Sequence, residues 1–287
     1  MTKEPIMLKA ARKIMKEEDA KNVIKGIDII GDIAVIKVPH KLMDKRFELA
    51  KALLETIPNI RVVLRKASII SGLHRLMELE WLAGEKRFET TYREHGCIFK
   101  VDLRKTFFTP RLSGERIRIA KKVKDGEVIV NMFAGIGTYS IIIAKHANPQ
   151  KILSIDINPH AYNLMKININ LNKVEDKVIP LLGDARDIVL EKCVNLANRV
   201  LMPLPKLSIE YLPYAVKALE NARGWVHPYE FIKADKSENP VKKAAKKYAE
   251  KLNEIGVKFN IAYGRTVGEV APRKYRVVLD IKIEGFK

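Results

Sequence analysis

Glycine and aspartate residues follow three predicted strands at positions suited to a nucleotide-type ligand. The run Ala134-Gly135-Ile136-Gly137 follows the first strand, Asp156 ends the second, and Asp184 follows the third. Glycines let the backbone approach a ligand closely, and the helix that comes next presents free N–H groups. A carboxylate at the second strand end can accept hydrogen bonds from ribose hydroxyls. One at the third strand end can accept a hydrogen bond from an exocyclic adenine amine.

Each of these residues also has a purely structural interpretation. The glycines fit a tight strand-to-helix turn, and Asp184 fits an ordinary loop position. Asp156 fits a helix N-cap, although Asn158, just before a proline, competes for that role. Their combination at three successive strand ends favours a ligand site. The same segments supply three further predicted cofactor contacts, which are Phe133, Ile157 and Ala185.

The glycine pattern separates two kinds of cofactor. A dinucleotide site requires a third glycine or alanine three positions after the second glycine, but Ser140 stands there, preceded by the bulky Tyr139. The pattern therefore favours S-adenosylmethionine over NAD, and a nicotinamide-dependent dehydrogenase is disfavoured.

The elements that must position these residues follow from the spacing of apolar side chains. From about residue 115, strands and helices alternate, with strands predicted at 127–133, 151–156, 177–182, 198–202 and 224–229 and a final strand pair at 257–266 and 274–284. This alternation predicts an α/β protein with a parallel, doubly wound, Rossmann-type sheet. Residues 1–105 instead predict a smaller α+β domain that binds RNA or substrate, so the catalytic domain is expected at 106–287.

Charge is the strongest signal in the composition of the 287 residues. Lys and Arg number 53 and Asp and Glu 34, a net charge of +19. Residues 126–200 carry 8 basic and 7 acidic side chains, so the excess lies outside the predicted ligand site. Such an excess favours a polyanionic partner such as nucleic acid, and the alternative is a basic protein without one.

Other classes of protein are disfavoured by the same sequence. No run of 18 apolar residues is present, and the first 21 residues lack the continuous apolar centre of a signal peptide, so we expect a cytoplasmic protein. The two cysteines are far apart and the six histidines lack metal-ligand spacing. We therefore expect neither a disulfide scaffold nor a metal site.

Several segments of the chain form a recognisable set. They are Ser71-Gly72-Leu73-His74-Arg75, Leu82-Ala83-Gly84-Glu85, His95-Gly96-Cys97-Ile98-Phe99-Lys100-Val101-Asp102, Phe108-Thr109-Pro110-Arg111-Leu112-Ser113-Gly114-Glu115-Arg116, Met132-Phe133-Ala134-Gly135-Ile136-Gly137, Asp156-Ile157-Asn158-Pro159-His160 and Ala271-Pro272-Arg273. Together they resemble the archaeal and eukaryotic tRNA guanine-37 N1-methyltransferases, a Rossmann-type family that uses S-adenosylmethionine. The resemblance covers roughly residues 25–287, and the segment from Pro110 to Arg116 is its most specific part.

The resemblance implies an activity and roles for three residues. The methyl group of S-adenosylmethionine would go to N1 of the guanine 3′ of the anticodon, in a tRNA held by its anticodon stem-loop. Glu115 matches the general base that removes the N1 proton, and Arg75 matches the arginine that stabilises negative charge on O6. Arg111 would hold a substrate phosphate or orient Glu115. A weakly acidic N–H benefits from both a base and a charge stabiliser. Glu115 also fits a surface helix residue paired with Arg118, and Arg75 a phosphate contact or surface ion pair.

Two positions depart from the family pattern. Pro203 stands where the family has an asparagine that would touch the guanine, and Asn131 replaces an acid beside the methionine end of the cofactor. The chain is also expected to lack the additional N-terminal domain that grips the tRNA elbow in many relatives, and a monomer is expected.

Three alternatives remain open at this point. A sister family in wybutosine synthesis transfers an aminocarboxypropyl group from the same cofactor, although Pro110-Arg111-Leu112 and Leu204-Pro205 favour methyl transfer. A branch of the methyltransferases acts on a tricyclic wybutosine intermediate, and Pro203 leaves that substrate open. A tRNA-binding module without catalytic activity is the alternative from a different class, and it need not bind S-adenosylmethionine.

Overall fold

The computed structural model describes residues 4–68, 72 and 76–287, and it divides the chain after Arg111 into two compact units. Residues 106–111, which follow the predicted domain boundary, lie with the first unit. Within that unit the Phe108 ring contacts the Tyr92 ring, with centroids 4.9 Å apart, and Arg111 binds Asp28. In the part of the chain so described, no helix is long and apolar enough to cross a membrane.

In its described residues, the first unit combines three α-helices, a four-stranded sheet and a separate hairpin. The sheet order is β1-β2-β3-β4, in which β2 and β3 are parallel and the other neighbours antiparallel. Strand β4 was not predicted, because its sequence Leu-Glu-Trp-Leu-Ala-Gly shows no regular alternation of apolar and polar residues. The elements are α1 (Ile6–Ala11), α2 (Glu17–Ala20), β1 (Ile27–Ile30), β2 (Ile33–Ile36), α3 (Arg46–Thr56), β3 (Val62–Lys66), β4 (Leu79–Gly84), β5 (Glu89–Glu94) and β6 (Cys97–Asp102).

The second unit is built on one seven-stranded sheet with the order β12-β13-β11-β10-β7-β8-β9. The five strands from β11 to β9 are parallel, as predicted. The elements are α4 (Ser113–Ala120), β7 (Val128–Asn131), α5 (Thr138–His146), β8 (Lys151–Asp156), α6 (Pro159–Asn172), β9 (Val178–Leu182), α7 (Ala185–Ile188), β10 (Arg199–Met202), α8 (Ser208–Ala218), β11 (Arg223–Lys233), α9 (Pro240–Ile255), β12 (Val257–Ala271) and β13 (Lys274–Phe286).

Burial explains why the central strands have the sequences they do. Every residue of β7 and β10 is buried, because helices cover both faces of a parallel sheet. The last two strands differ, since β12 and β13 form an antiparallel hairpin at one edge and β12 alternates between exposed and half-buried residues along much of its length. The doubly wound sheet thus ends in an antiparallel pair, with β13 paired to β11.

Candidate active site

The carboxyl ends of three neighbouring parallel strands, β7, β8 and β9, bring the predicted ligand residues together. Asp156 Oδ2 accepts a hydrogen bond of 2.6 Å from the Gly135 N–H. The Asp156 carbonyl oxygen accepts another, of 3.1 Å, from the Gly183 N–H. The glycine turn and both acidic strand ends therefore share one edge of the sheet, where ligands bind in doubly wound proteins.

Both glycines of the turn adopt left-handed backbone conformations, with φ of +57° at Gly135 and +88° at Gly137. A Cβ at Gly137 would lie 3.0 Å from Met165 Cγ, so the packing of α6 also requires a glycine there. A Cβ at Gly135 would have no heavy atom within 4 Å. The turn therefore needs glycine for its conformation, and at Gly135 it also leaves open space beside the backbone.

Asp156 does not cap the helix that follows it. Asn158 does so, because its Oδ1 accepts a hydrogen bond of 3.0 Å from the His160 N–H and Pro159 occupies the first turn. Asp156 Oδ1 accepts from the Asn158 N–H at 2.9 Å, so this half-buried carboxylate ties two loops together. Ile157, also half-buried, lies between the two acceptors.

Asp184 caps the short helix α7, since its Oδ1 accepts a hydrogen bond of 2.8 Å from the Arg186 N–H. The Tyr211 hydroxyl donates to the same carboxylate, 2.9 and 3.0 Å from its two oxygens. The Tyr211 ring meets the Phe133 ring edge-on, with centroids 5.3 Å apart, and Ala185 is buried beside the cap. Tyr211 thus links the first and third strand ends, a contact that no local sequence pattern indicates.

Asn131 ends strand β7 inside this site and is fully buried. Its Nδ2 donates to Ser140 Oγ at 3.1 Å, and Ser154 donates to the same oxygen at 2.7 Å. Its Oδ1 accepts no hydrogen bond from any described residue. A buried oxygen without a donor is costly, so a ligand or water that donates to it would be favoured.

Glu115 lies on α4 and is 1% exposed. Its Oε2 accepts from Arg118 Nε at 2.9 Å and from the Tyr229 hydroxyl at 3.3 Å, while its Oε1 lies 3.2 Å from Arg265 Nε. The pairing with Arg118 expected for a surface residue is therefore present, but the carboxylate is buried. Because Tyr229 donates to Glu115, the hydroxyl of Tyr139, 2.7 Å away, donates to Tyr229.

Tyr139 and Tyr229 connect Glu115 to the sheet edge that carries the glycine turn, Asp156 and Asp184, which is the ligand edge of this unit. Tyr139 lies on α5, the helix that begins after the glycine turn, so two hydrogen bonds join the carboxylate to that helix. Burial raises the pKa of Tyr139 to about 12 and raises the pKa of Tyr229 well above its usual value, so both hydroxyls stay protonated at neutral pH.

Arg111 belongs to the first unit. Arg111 is largely exposed, and its Nε donates to Asp28 Oδ1 at 2.8 Å, while Lys66 Nζ contacts Asp28 Oδ2 at 2.7 Å. Burial opposes ionisation of Asp28, but the two cations overcome it and lower the pKa of Asp28. Arg75 lies outside the described residues.

Two other groups of side chains occupy structural positions. Tyr229 and Phe108 are buried in the cores of their units. Among the lysines of α9, Lys243 binds Glu238 and Lys247 binds Glu230, each at 2.8 Å.

A doubly wound sheet with a glycine turn and two acidic strand ends at one edge defines a class I, Rossmann-type methyltransferase fold. The family described as "TRM5/TYW2 methyltransferase domain" matches residues 90–258, and the "TYW2 N-terminal domain" matches residues 7–87. The chain belongs to the TRM5/TYW2 methyltransferase family.

Two curated relatives in this family have different but related activities. The tRNA 4-demethylwyosine(37)-methyltransferase Taw21 of Saccharolobus solfataricus is 38% identical over 94% of this chain and 98% of its own length. The tRNA (guanine(37)-N(1))-methyltransferase Trm5b of Pyrococcus abyssi is also 38% identical, over 90% of this chain and 74% of its own length.

Solved structures agree with this assignment. The complex of aTrm5 with tRNALeu superposes with a TM-score of 0.82 at 36% identity, covering 99% of this chain and 79% of that one. The TYW2 of Pyrococcus horikoshii in complex with MeSAdo gives a TM-score of 0.80 at 27% identity, covering 97% and 98%.

Proposed function

We propose that this protein transfers the methyl group of S-adenosylmethionine to N1 of guanine-37 in tRNA. The observation that carries the proposal is a buried carboxylate, Glu115, joined through two tyrosines to the helix that follows the glycine turn. The named activities of the relatives and the strongly basic composition support tRNA as the substrate.

The residues at the strand ends fit S-adenosylmethionine. Asp156 would accept from the ribose hydroxyls and Asp184 from the adenine amine, while the open space at Gly135 admits the ligand beside the backbone. The Oδ1 of Asn131 lacks a donor among the described residues, and the cofactor ammonium group supplies one. Phe133, Gly137, Ile157 and Ala185 shape the same edge. When bound, the cofactor supplies an electrophilic methyl group.

Glu115 would act as the general base. Its carboxylate takes the N1 proton of guanine, so the N1 electron pair is free to form the new bond to carbon. By family resemblance, Arg75 stabilises the charge that develops on O6 of the guanine. Arg111 holds a substrate phosphate or orients Glu115. The first unit, with these two arginines, would bind the anticodon stem-loop.

The experiment that tests this proposal is incubation of the protein with an unmodified tRNA transcript and S-adenosylmethionine, followed by nucleoside mass analysis. One added methyl group at guanine-37 is expected. A tRNA that is bound but unmodified, with no cofactor binding by calorimetry, would support a binding module without catalytic activity instead.

A second candidate substrate is the tricyclic base 4-demethylwyosine at the same position. Pro203 directly follows β10 and offers neither a side-chain amide nor a backbone N–H, so it cannot make the donor contacts of the family asparagine. The activity named for the Saccharolobus solfataricus relative agrees with this candidate. Parallel incubations with unmodified tRNA and with tRNA that carries the tricyclic base show which of the two is the substrate. An added aminocarboxypropyl group would instead assign the protein to the aminocarboxypropyl transferases of the sister family.

A further inference from the structure

Glu115 lies at one end of a buried series of charged hydrogen bonds that extends across α4, β13, β11 and β10. Next to it, Arg118 binds Asp280 through both terminal nitrogens, with Nη1 to Oδ2 at 2.7 Å and Nη2 to Oδ1 at 3.0 Å. Its remaining Nε donates to Glu115 Oε2. A guanidinium is a rigid plane, so Asp280 fixes the direction in which Nε points.

Asp280 is itself held by His227, whose Nδ1 lies 2.7 Å from Oδ1. The other ring nitrogen, Nε2, lies 2.7 Å from Nη1 of Arg199, a group that only donates. Nε2 is therefore the acceptor, and the ring proton on Nδ1 is donated to Asp280. Arg199 is anchored in turn by Glu127, with nitrogen–oxygen distances of 2.7 and 2.9 Å. Each hydrogen bond in this series therefore has a defined donor and a defined acceptor.

The second oxygen of Glu115 has a different kind of partner. Arg265 Nε on β12 lies 3.2 Å from Oε1 without the geometry of a hydrogen bond, so Oε1 accepts none from the described residues. The Arg265 side chain is 42% exposed, whereas that of Arg118 is 15% exposed. Arg118 is fixed by a second carboxylate. Among the described residues, Arg265 pairs with no carboxylate other than that of Glu115, and water competes for its guanidinium. Ion pairs with an exposed partner are weak and are readily exchanged.

We propose that Arg118, oriented by Asp280 and His227, is a positioning residue that holds Glu115 through Oε2, and that Arg265 is a displaceable partner that releases Oε1 when tRNA binds. Oε1 is then the atom that takes the N1 proton, and Arg265 pairs with a phosphate of the substrate. This inference rests on the proposed function, because it assigns partners to the proposed base.

The proposal predicts opposite kinetic effects for the two arginines. Arg118→Gln lowers kcat about 10–100-fold with little change in KM for tRNA, because the base is no longer held in position. Arg265→Gln raises KM for tRNA several-fold and changes kcat by less than threefold. Loss of kcat in Arg265→Gln with unchanged KM would overturn the assignment of a displaceable partner.

The pH dependence of kcat distinguishes positioning from simple loss of structure. Among the described residues, the charged and titratable groups around Glu115 are Arg118, Arg265 and Tyr229. Asp280, Lys122 and Tyr139 lie next to these, and the charges of Arg116 and Arg276 act on Tyr139. Arg118→Gln removes the cation beside Glu115, so the acidic limb of the pH profile of kcat moves to higher pH. Removing the anion in Asp280→Asn moves the acidic limb to lower pH, because a negative charge near Glu115 is then lost. Lowered rates without these opposite shifts would mean a structural role only.

Three further measurements keep the test decisive. Asp235→Asn, an exposed aspartate paired with Arg273, is the matched control and is expected to behave as wild type. If Asp280→Asn does not fold, His227→Asn and His227→Leu replace it. Asparagine keeps a donor near Asp280 and should retain more activity than leucine, and equal loss in both would contradict the proposal. Normal turnover by Glu115→Gln would instead refute the proposed base itself.

Discussion

The ligand edge of the second unit and the cluster around Glu115 are assembled in different ways. At the ligand edge, Gly135 and Asp156 are 21 residues apart, and Asp184 and Tyr211 are 27 apart. In the Glu115 cluster, Glu115 and Tyr229 are 114 residues apart, and Arg118 and Asp280 are 162 apart. The ligand edge is formed by the ends of consecutive strands. The Glu115 cluster forms only when the antiparallel strands at the edge of the sheet have also paired.

This difference separates binding from catalysis in the proposed mechanism. The ligand edge relies on short charged hydrogen bonds to backbone N–H groups, which any correctly folded strand–loop–helix unit supplies. The Glu115 cluster relies on buried side chains that must satisfy one another, so a single substitution there leaves a charge without its partner. Variants in the two regions should therefore change different quantities.

The largest effect is expected at the proposed base. Glu115→Gln should lower the turnover number about 10²–10⁴-fold, because the amide cannot accept the N1 proton. Cofactor affinity measured by calorimetry should stay unchanged, since no ligand-edge residue is altered. Glu254→Gln, an exposed glutamate three residues from Lys251, is the matched control and should turn over normally. Weakened cofactor binding in Glu115→Gln would show that the Glu115 cluster also determines cofactor affinity, so the two regions would not act separately.

The reverse pattern is expected at the ligand edge. Asp156→Ala should weaken S-adenosylmethionine binding about 10–100-fold, because it removes both the ribose acceptor and the tie to Gly135. Asp176→Ala, an exposed aspartate between α6 and β9, provides the control for calorimetry. Unchanged affinity in Asp156→Ala would place the ribose contact elsewhere in the chain.

The buried histidine of the Glu115 cluster should make stability depend on pH. Burial lowers the pKa of His227 to about 4, whereas an unfolded histidine has a pKa of about 6.5. The unfolded state therefore binds more protons between these values, so stability is full above about pH 6.5 and falls as the pH drops towards 4. A loss of about 1–3 kcal/mol is expected by chemical denaturation.

The matched variant for this measurement is His227→Asn, which should flatten the dependence between pH 6.5 and 4 because it removes the titrating group. A slope that persists unchanged in this variant would assign the effect to another residue. Ionisation of Asp280 contributes only at lower pH, since His227 and Arg118 hold the pKa of that carboxyl well below its usual range despite burial.

The smallest effect is expected at the glycine turn. Gly137→Ala should destabilise the fold by about 1–2 kcal/mol, because alanine strains at φ +88° and its Cβ would crowd Met165. Gly126→Ala has a similar φ of +76° without a neighbour within 4 Å, so it measures the strain alone. Thermal unfolding of both variants isolates the packing cost. An equal loss in both would mean that α6 adjusts freely around residue 137.

Local sequence predicted the ligand edge well, because strand ends, glycines and caps are encoded within a few residues. The strand predicted at 151–156 agrees with β8 to the residue. Strand β4 was missed, since its half-buried edge position leaves no regular pattern of apolar residues. The sequence also could not decide whether Asp156 or Asn158 caps α6, because both lie within reach of the same N–H groups.

The sequence by itself determined the parallel sheet, the glycine turn, the acidic strand ends and the family, since these depend on periodicity and on residues close together in the chain. Only the tertiary structure decided that Glu115 is buried, that Arg118 binds its Oε2 while Arg265 lies near its Oε1, and that Asp280 binds Arg118 and is itself bound by His227. The physical reason is that these contacts form when strands β11, β12 and β13 pair at the sheet edge, and no local pattern encodes which distant side chains then meet.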